Sequence, residues 1–398
     1  MIDCVFRGKR LVESPVSGPV HECSAQKSRC VETAAQLAAI SRGAVVPHVT
    51  CEGCSLRKIR EQKALTIGFP YYRDWPGLWA SIQSIRLCHH EVLSQSEIIV
   101  IDNDPSGEPD RAAEDNHSHK ARKLCQAIGA TYEHFTGVSG TAAAKGRVFD
   151  LAQGRVVLVM DCHVLLPSLT LSNLLFWAEE HREAKDLWQG PCIGDGGWDD
   201  IVGTHFAERW GSMMYGQWAI DERVHPETPG PLRAADEAFE IPMQGCGLFA
   251  CNRHAWPGFH PLLRGFGPEE FHLHQRIRRN GGKCLCLPWL RWCHRFGNPD
   301  GAKPPGLAPA ERLRGHLVTW LDTGAPSLKS IRTHFVKECN MPPAEFRRVL
   351  AATRKEFGDK KLRGIGDVVA SGLKAVGIPG CSGCQNRQQA LNEVLPFG

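Results

Sequence analysis

Two apolar runs in this 398-residue chain end on acids whose neighbours could do chemistry. Glu97-Ile98-Ile99-Val100-Ile101 leads into Asp102-Asn103-Asp104, and Arg155-Val156-Val157-Leu158-Val159-Met160 leads into Asp161-Cys162-His163. Strand side chains alternate between faces, so Asp161 and His163 are expected on one side with Cys162 facing away. A carboxylate oxygen and an imidazole nitrogen placed in this way are a donor pair for Mn²⁺ or Mg²⁺. Asp102 has acceptor atoms for a nucleobase or a ribose, although a lone aspartate at a strand end also serves simply as a cap.

The cysteines suggest a second kind of site. Cys51-Glu52-Gly53-Cys54 is a CxxC turn preceded by Cys4, Cys23 and Cys30, in a stretch with little apolar periodicity. Cys4, Cys23, Cys51 and Cys54 form a candidate structural Zn²⁺ set, because tetrahedral zinc takes four thiolates and the turn presents two together. Unligated thiols are the alternative. A second CxxC, Cys381-Ser382-Gly383-Cys384, lacks two obvious partners.

The elements that must position these groups begin at Ala64. Short β-rich runs alternate with helical stretches from there on, the pattern of βα units on a largely parallel sheet. Leu65–Pro70 reads as a buried strand ended by proline, Leu78–Leu87 as a helix with one apolar face, and Lys283–Leu287 as a late strand. In an open sheet of this kind ligands bind beyond the carboxyl ends of the strands, where Asp102 and Asp161 lie. Phe271–Arg279 reads as a helix closed by Asn280-Gly281-Gly282, with Glu269-Glu270 just before it. Ala310–Leu321 and Pro343–Lys361 read as exposed helices after a linker. The expected organisation is a cysteine-rich segment over 1–60, a catalytic α/β domain over 64–300 and a basic helical extension over 301–398.

Composition bounds the partners. With 42% hydrophobic and 23% charged residues the chain has enough apolar material for a sizeable core. A formal charge of +4 is too weak to argue for nucleic acid, and no aromatic residues interleave with the basic ones at either end as stacking platforms require. No apolar run approaches the roughly 20 residues of a membrane span. Seventeen cysteines, an odd number, behind an amino terminus without a signal pattern point to reduced thiols and the cytoplasm.

Leu65–Pro70, then Ile98–Asn103, then Ala144-Lys145-Gly146 leading into Val157–His163, resembles the nucleotide-binding half of family 2 glycosyltransferases. The usual Asp-x-Asp is replaced by Asp161-Cys162-His163, which is similar to the Asp-x-His of polypeptide N-acetylgalactosaminyltransferases. Their metal takes a third ligand from a late histidine, and His294 in Trp292-Cys293-His294-Arg295-Phe296 matches that position. Pro242–Ala250, Trp256–Phe259 and Gly265-Phe266-Gly267-Pro268-Glu269-Glu270 resemble the acceptor-side segment of GT-A enzymes. The resemblance covers about residues 64–300 and leaves both ends uncovered.

It implies a GT-A fold, an α/β/α sandwich, that moves a sugar from a nucleotide donor, UDP-linked, to an acceptor hydroxyl of unknown identity. Asp161, His163 and His294 would hold Mn²⁺ or Mg²⁺ against the leaving diphosphate. Pro70, Asp102 and Asn103 would border the nucleotide, and Lys145 or Arg147 would add a fixed charge. Glu269 or Glu270 is the candidate general base, against the plainer reading that acids at a helix start complement its dipole. His294, among aromatic residues, could equally be a packed core histidine. Family 2 enzymes invert whereas the Asp-x-His set resembles a retaining family, so stereochemistry is open. The rivals are a transferase-like domain that binds a nucleotide sugar or glycan without turnover, and a zinc-ribbon nucleic-acid-binding protein.

Overall fold

The computed structural model describes residues 63–197, 200–224, 237–297 and 308–359, together with the backbone of three short strands near the amino terminus. The chain divides into two units, Met1–Lys63 and Ala64–Gly398. In the first, β1 (Leu11–Ser14), β2 (Gly18–Cys23) and β3 (Ser28–Val31) form an antiparallel sheet in sequential order. Side chains there lie outside the described residues, as do residues 360–398. The candidate zinc ligands Cys4, Cys23, Cys51 and Cys54, and the pair Cys381 and Cys384, fall in these regions.

The second unit is built on β4 (Leu65–Tyr71), α1 (Trp75–Cys88), β5 (Ser96–Asp102), α2 (His117–Ile128), β6 (Thr131–His134), α3 (Thr141–Leu151) and β7 (Val156–Met160). There follow β8 (Val164–Leu165), α4 (Thr170–Glu180), β9 (Leu187–Gln189), β10 (Cys192–Ile193), β11 (Ile201–Gly203) and the hairpin β12 (His205–Gly211) with β13 (Met214–Ala219). Then come β14 (Phe239–Glu240), β15 (Leu248–Asn252), α5 (Glu269–Arg279), β16 (Cys284–Cys286), β17 (Trp292–His294), α6 (Pro309–Thr323), α7 (Leu328–Arg332) and α8 (Pro343–Asp359).

The main sheet runs β14-β16-β9-β15-β7-β4-β5-β6. Strands β7, β4, β5 and β6 are mutually parallel, and the chain leaves β4 for β5 and β6 on one side before returning to β7 on the other. The gap between β4 and β7 is therefore a topological switch point, where the connections diverge and leave a crevice at the strand ends. β7 is apolar on both faces because both are covered. Val156, Leu158 and Met160 pack with Leu78, Ile82 and Ile85 of α1 and Leu171 and Leu174 of α4. Val157 and Val159 pack with Val148 and Phe149 of α3 and Leu273 and Ile277 of α5. The result is the expected α/β/α sandwich.

A smaller sheet, β11-β10-β17-β8, crosses the carboxyl ends of this frame, with His294 of β17 opposite Val164 of β8. Beyond it the structure departs from the expectation of exposed helices. Leu313 and Leu317 of α6, Ile331 of α7 and Phe346 and Val349 of α8 form a core of their own, to which Trp210 of the β12–β13 hairpin contributes. Apolar spacing on these helices marked a buried face, which their charged flanks disguised. α6 also sits on the turn before α5: a Cβ at Gly315 would lie 2.8 Å from Pro268 Cδ.

Candidate active site

Asp161 follows the last residue of β7, and its N–H donates to Gly247 O at 2.8 Å. The strand stops at Met160, so strand alternation does not govern Asp161 and His163; a turn does. The outcome is nevertheless the expected one. Asp161, His163 and His294 each offer a ligand atom, all within 4.8 Å of one another, while Cys162 is buried beside Asp74. His163 Nε2 and His294 Nε2 stand 3.2 Å apart, and His294 Nε2 is 3.8 Å from Asp161 Oδ2. Two nitrogens each about 2.1 Å from one ion and at right angles lie about 3 Å apart, so the spacing fits a shared metal. One carboxylate with two imidazoles suits a first-row ion such as Mn²⁺ better than an all-oxygen ion such as Mg²⁺.

β8 and β17 make this convergence possible, since their pairing sets His294 beside the 161–164 turn. Ser81 of α1 holds the other side of that turn by donating to Cys162 O at 3.2 Å and Val164 O at 2.8 Å. The His294 ring lies edge-on to Trp292 and against Phe296, with centroids at 5.6 and 4.5 Å. Asp74, which the sequence reading did not single out, accepts from His163 Nδ1 at 2.8 Å. Its only local signal is that of a helix cap before Trp75-Pro76.

Lys145 connects the triad to the acidic pair. Its Nζ, on a buried side chain of α3, is 3.9 Å from Asp161 Oδ1 and 3.8 Å from Glu269 Oε1. Burial opposes the ammonium charge, but the carboxylates of Asp161 and Glu269 outweigh it and hold the lysine above its ordinary pKa. Burial would likewise raise Asp161; Lys145, and after it His294, bring that carboxyl down to about 2. Glu269 also accepts from Thr141 Oγ1 at 2.5 Å. Glu270 has no such partner: burial first, then the neighbouring Glu269, push its carboxyl up to about 8, and Glu270 Oε2 has no hydrogen-bond partner. Arg312 of α6, also missed by the sequence reading, lies over the Phe266 ring at 4.9 Å with Nη1 likewise unpartnered. Its charge acts on Glu270.

α3 and α5 meet through backbone. Gly140 and Gly265 form an isolated parallel bridge, with Thr141 N–H donating to Gly265 O and Gly265 N–H to Ser139 O, each at 3.0 Å. Gly140 has φ +140°, and a Cβ there would come within 2.3 Å of Gly265 N. Only glycine allows this approach. Glu269 and Glu270 are the first residues of α5 rather than residues preceding it.

The expected nucleotide contacts divide. Asp102 is fully buried, accepting from Tyr132 Oη at 2.7 Å and Asp104 N at 3.1 Å; its desolvation raises the carboxyl against these bonds. Asn103 donates to Phe135 O and Val138 O and accepts from Gly140 N at 2.7 Å. Both are occupied in holding loops, so their side chains are not open to a ligand as expected. The neighbouring Asp104, paired with Arg73 at 2.6 Å, instead lines a cavity of about 370 Å³ that Ser106 and His117 also border. Pro70 continues β4 rather than ending it and stands opposite Ile101. Arg147 is not brought to the triad; it pairs with Glu133 at 3.0 Å and Asp150 at 3.3 Å. His272 and His274 are fully buried, bonded to Asp322 and to Glu270 O respectively, in keeping with packing rather than metal binding.

Comparison with known proteins bears on this arrangement. Residues 66–241 match the family described as Glycosyl transferase family 2. No curated protein matches the sequence. Among solved structures, GalNAc-T7 with UDP, GalNAc and Mn²⁺ is similar at 17% identity and a TM-score of 0.51, covering 75% of this chain. This chain spans 57% of the length of that protein. TarS 1–349 of S. aureus in complex with UDP-GlcNAc is 12% identical with a TM-score of 0.43, covering 73% of this chain and 80% of its own. The mannosyltransferase PcManGT of Pyrobaculum calidifontis with GDP-Man and Mn²⁺ is 14% identical with a TM-score of 0.41, covering 84% and 86%. At these identities the GalNAc-T7 likeness speaks for the fold, while the other two scores are too low to add weight. The matched residues thus make 66–241 similar to family 2 glycosyltransferases, on a sheet order and switch-point crevice that fit the GT-A fold.

Proposed function

We propose that the protein transfers a hexosyl group from a UDP-sugar to an acceptor hydroxyl with the help of Mn²⁺ held by Asp161, His163 and His294. The carrying observation is that these three residues, chosen from positions up to 133 apart in sequence, meet at the switch-point crevice one lysine away from the acidic pair. The UDP and Mn²⁺ in the GalNAc-T7 structure support the choice of donor and ion. When bound, the metal would act as a Lewis acid that offsets the charge gathering on the departing diphosphate.

The other roles belong to side chains. The anomeric carbon exchanges its bond to the diphosphate oxygen for one to the acceptor oxygen, and the acceptor hydroxyl loses its proton. Lys145, desolvated and fixed between two carboxylates, contributes positive charge beside Asp161 without reorganising. Glu269, already bonded to Thr141 and facing Lys145, holds that lysine in place. Glu270, whose carboxyl burial pushes up to about 8, is assigned as the proton acceptor, because a general base works best with a pKa close to the working pH. The unpartnered Glu270 Oε2 and Arg312 Nη1 offer an acceptor and a donor for hydroxyl groups. The ten free cysteines among the described residues suit a reducing compartment, the cytoplasm.

Hydrolysis of UDP- and GDP-sugars with and without Mn²⁺, by the wild type and by Asp161→Ala, tests this reading. Mn²⁺-dependent release of UDP from one donor, lost in the variant, is the expected result. Tight donor binding with no turnover would convert the reading to a binding protein, and turnover undiminished in Asp161→Ala would overturn the metal site.

A further inference from the structure

Asp74 occupies a place that a helix cap does not require. Its Oδ1 accepts from Gly77 N at 3.1 Å, which is the capping bond of α1. Its Oδ2 is occupied separately, 2.8 Å from His163 Nδ1 and 2.5 Å from Arg295 Nη2, on a side chain only 3% exposed. The neighbourhood is built for this approach: a Cβ at Gly77 would lie 2.7 Å from Asp74 Oδ2 and 2.8 Å from Cys162 O. Three segments far apart in sequence thus meet on one carboxylate: the start of α1, the turn after β7 and the residue that follows β17.

A carboxylate only accepts hydrogen bonds, so the His163 ring must place its proton on Nδ1 and leave the Nε2 lone pair toward His294 and Asp161. Asp74, Cys162 and His163 also lie close enough to resemble a ligand set of their own. An ion there would have to displace the Nδ1 contact and face the Arg295 guanidinium, which already occupies Asp74 Oδ2. Charge repulsion disfavours it and leaves, of these two sets among the described residues, the one on the Nε2 side.

We propose that Asp74 is a positioning residue for the metal ligand His163, fixing its tautomer and ring orientation, with Arg295 holding the carboxylate in place from the strand that carries His294. The proposal rests on the metal site described above. It gives the start of α1 a second role, coupling the first βα connection of the sheet to the ion.

The test uses the full chain and Mn²⁺ alone, with free Mn²⁺ followed by electron paramagnetic resonance. Asp74→Ser keeps a good helix cap but is too short to reach His163, and it should weaken Mn²⁺ binding about 10- to 100-fold. Asp74→Asn retains a carbonyl acceptor of the same reach and should lose less affinity than Asp74→Ser. Equal affinity in Asp74→Ser and wild type would reduce Asp74 to a cap and overturn the proposal. If the wild type binds no Mn²⁺, or Asp161→Ala binds it as well as the wild type, the metal-site reading fails instead. A second measurement needs no substitution at Asp74: ¹⁵N shifts of the His163 imidazole in the metal-free wild type, assigned by their loss in His163→Gln. A proton on Nδ1 supports the proposal, and a proton on Nε2 with Nδ1 bare overturns it.

Discussion

Replacing Lys145 by methionine preserves the bulk of the side chain and deletes the charge between Asp161 and Glu269. With Nζ at 3.9 and 3.8 Å from the two carboxylates, each attraction amounts to about 4 kcal/mol at an effective dielectric near 20. Much of that offsets the cost of taking the ammonium out of water, so the sum is not the stability lost. Breaking a buried ion cluster by removing one partner typically costs about 3–5 kcal/mol, because the remaining charges stay buried. At about 2.1 cal/mol/K of unfolding entropy per residue, a unit as long as Ala64–Gly398 shifts roughly 1.4 °C per kcal/mol, so Lys145→Met should melt about 4–7 °C below the wild type without metal. Two further results identify the cause. Glu269→Gln in the Lys145→Met background should restore about 1–3 kcal/mol, since it removes one of the stranded charges. Mn²⁺ should raise the melting temperature of Lys145→Met, because a cation beside Asp161 replaces part of the lost charge. The assay is thermal and urea unfolding followed by near-ultraviolet circular dichroism. A Lys145→Met protein within about 0.5 kcal/mol of wild type, or an absence of rescue by Glu269→Gln, refutes the argument that these groups are electrostatically joined.

The raised pKa of Glu270 predicts a pH dependence of stability: its buried neutral form contributes fully below pH 4.5, and that contribution is lost as pH rises through about 8. Urea unfolding across this window should show the decline in the wild type and a flatter profile in Glu270→Gln. Gly140→Ala forces a Cβ within 2.3 Å of Gly265 N at φ +140°, so denaturation should register a loss of about 2 kcal/mol or more. Donor turnover should fall with it while Mn²⁺ binding survives, because the bridge holds Lys145 and Glu269 rather than the histidines. Arg147→Ala removes surface pairs with Glu133 and Asp150 and should leave donor turnover unchanged, with a stability change of about 1 kcal/mol or less.

How far the sequence disclosed this arrangement depended on whether a group's role was written locally. The strand before Asp161 could be read because five consecutive apolar residues, Val156–Met160, have to be buried on both faces. The Asp161-Cys162-His163 order was legible as a donor pair, whereas His294 looked like any histidine among aromatics until its place in the chain was matched. Asp102 misled because a strand-end acid looks the same whether it faces a crevice or the hydroxyl of Tyr132, 30 residues away. Arg147 misled for a similar reason: one helical turn decides whether a cation meets Asp161 or Glu133, and composition does not fix it. Asp74 and Arg312 escaped notice because their significance arises only from tertiary contacts, one with His163 and Arg295, the other with Phe266 and Glu270.

The pairing of β17 between β10 and β8 also makes the triad depend on contacts distant in sequence. Asp74 and Asp161 lie at the ends of the parallel strands, but His294 joins them only through a strand near residue 292 that pairs with pieces about a hundred residues earlier. A chain still being synthesised cannot complete the triad until that strand has emerged and folded back. Closing so long a loop is slow, because its entropy must be spent before the contacts are gained. An ion that binds only the finished triad would then favour the fully assembled chain over every shorter or partly folded form, by a margin that grows with the ion's concentration. On that account, an ion held by the triad would tie β17 to the parallel strands, and its removal would leave β17 easier to release.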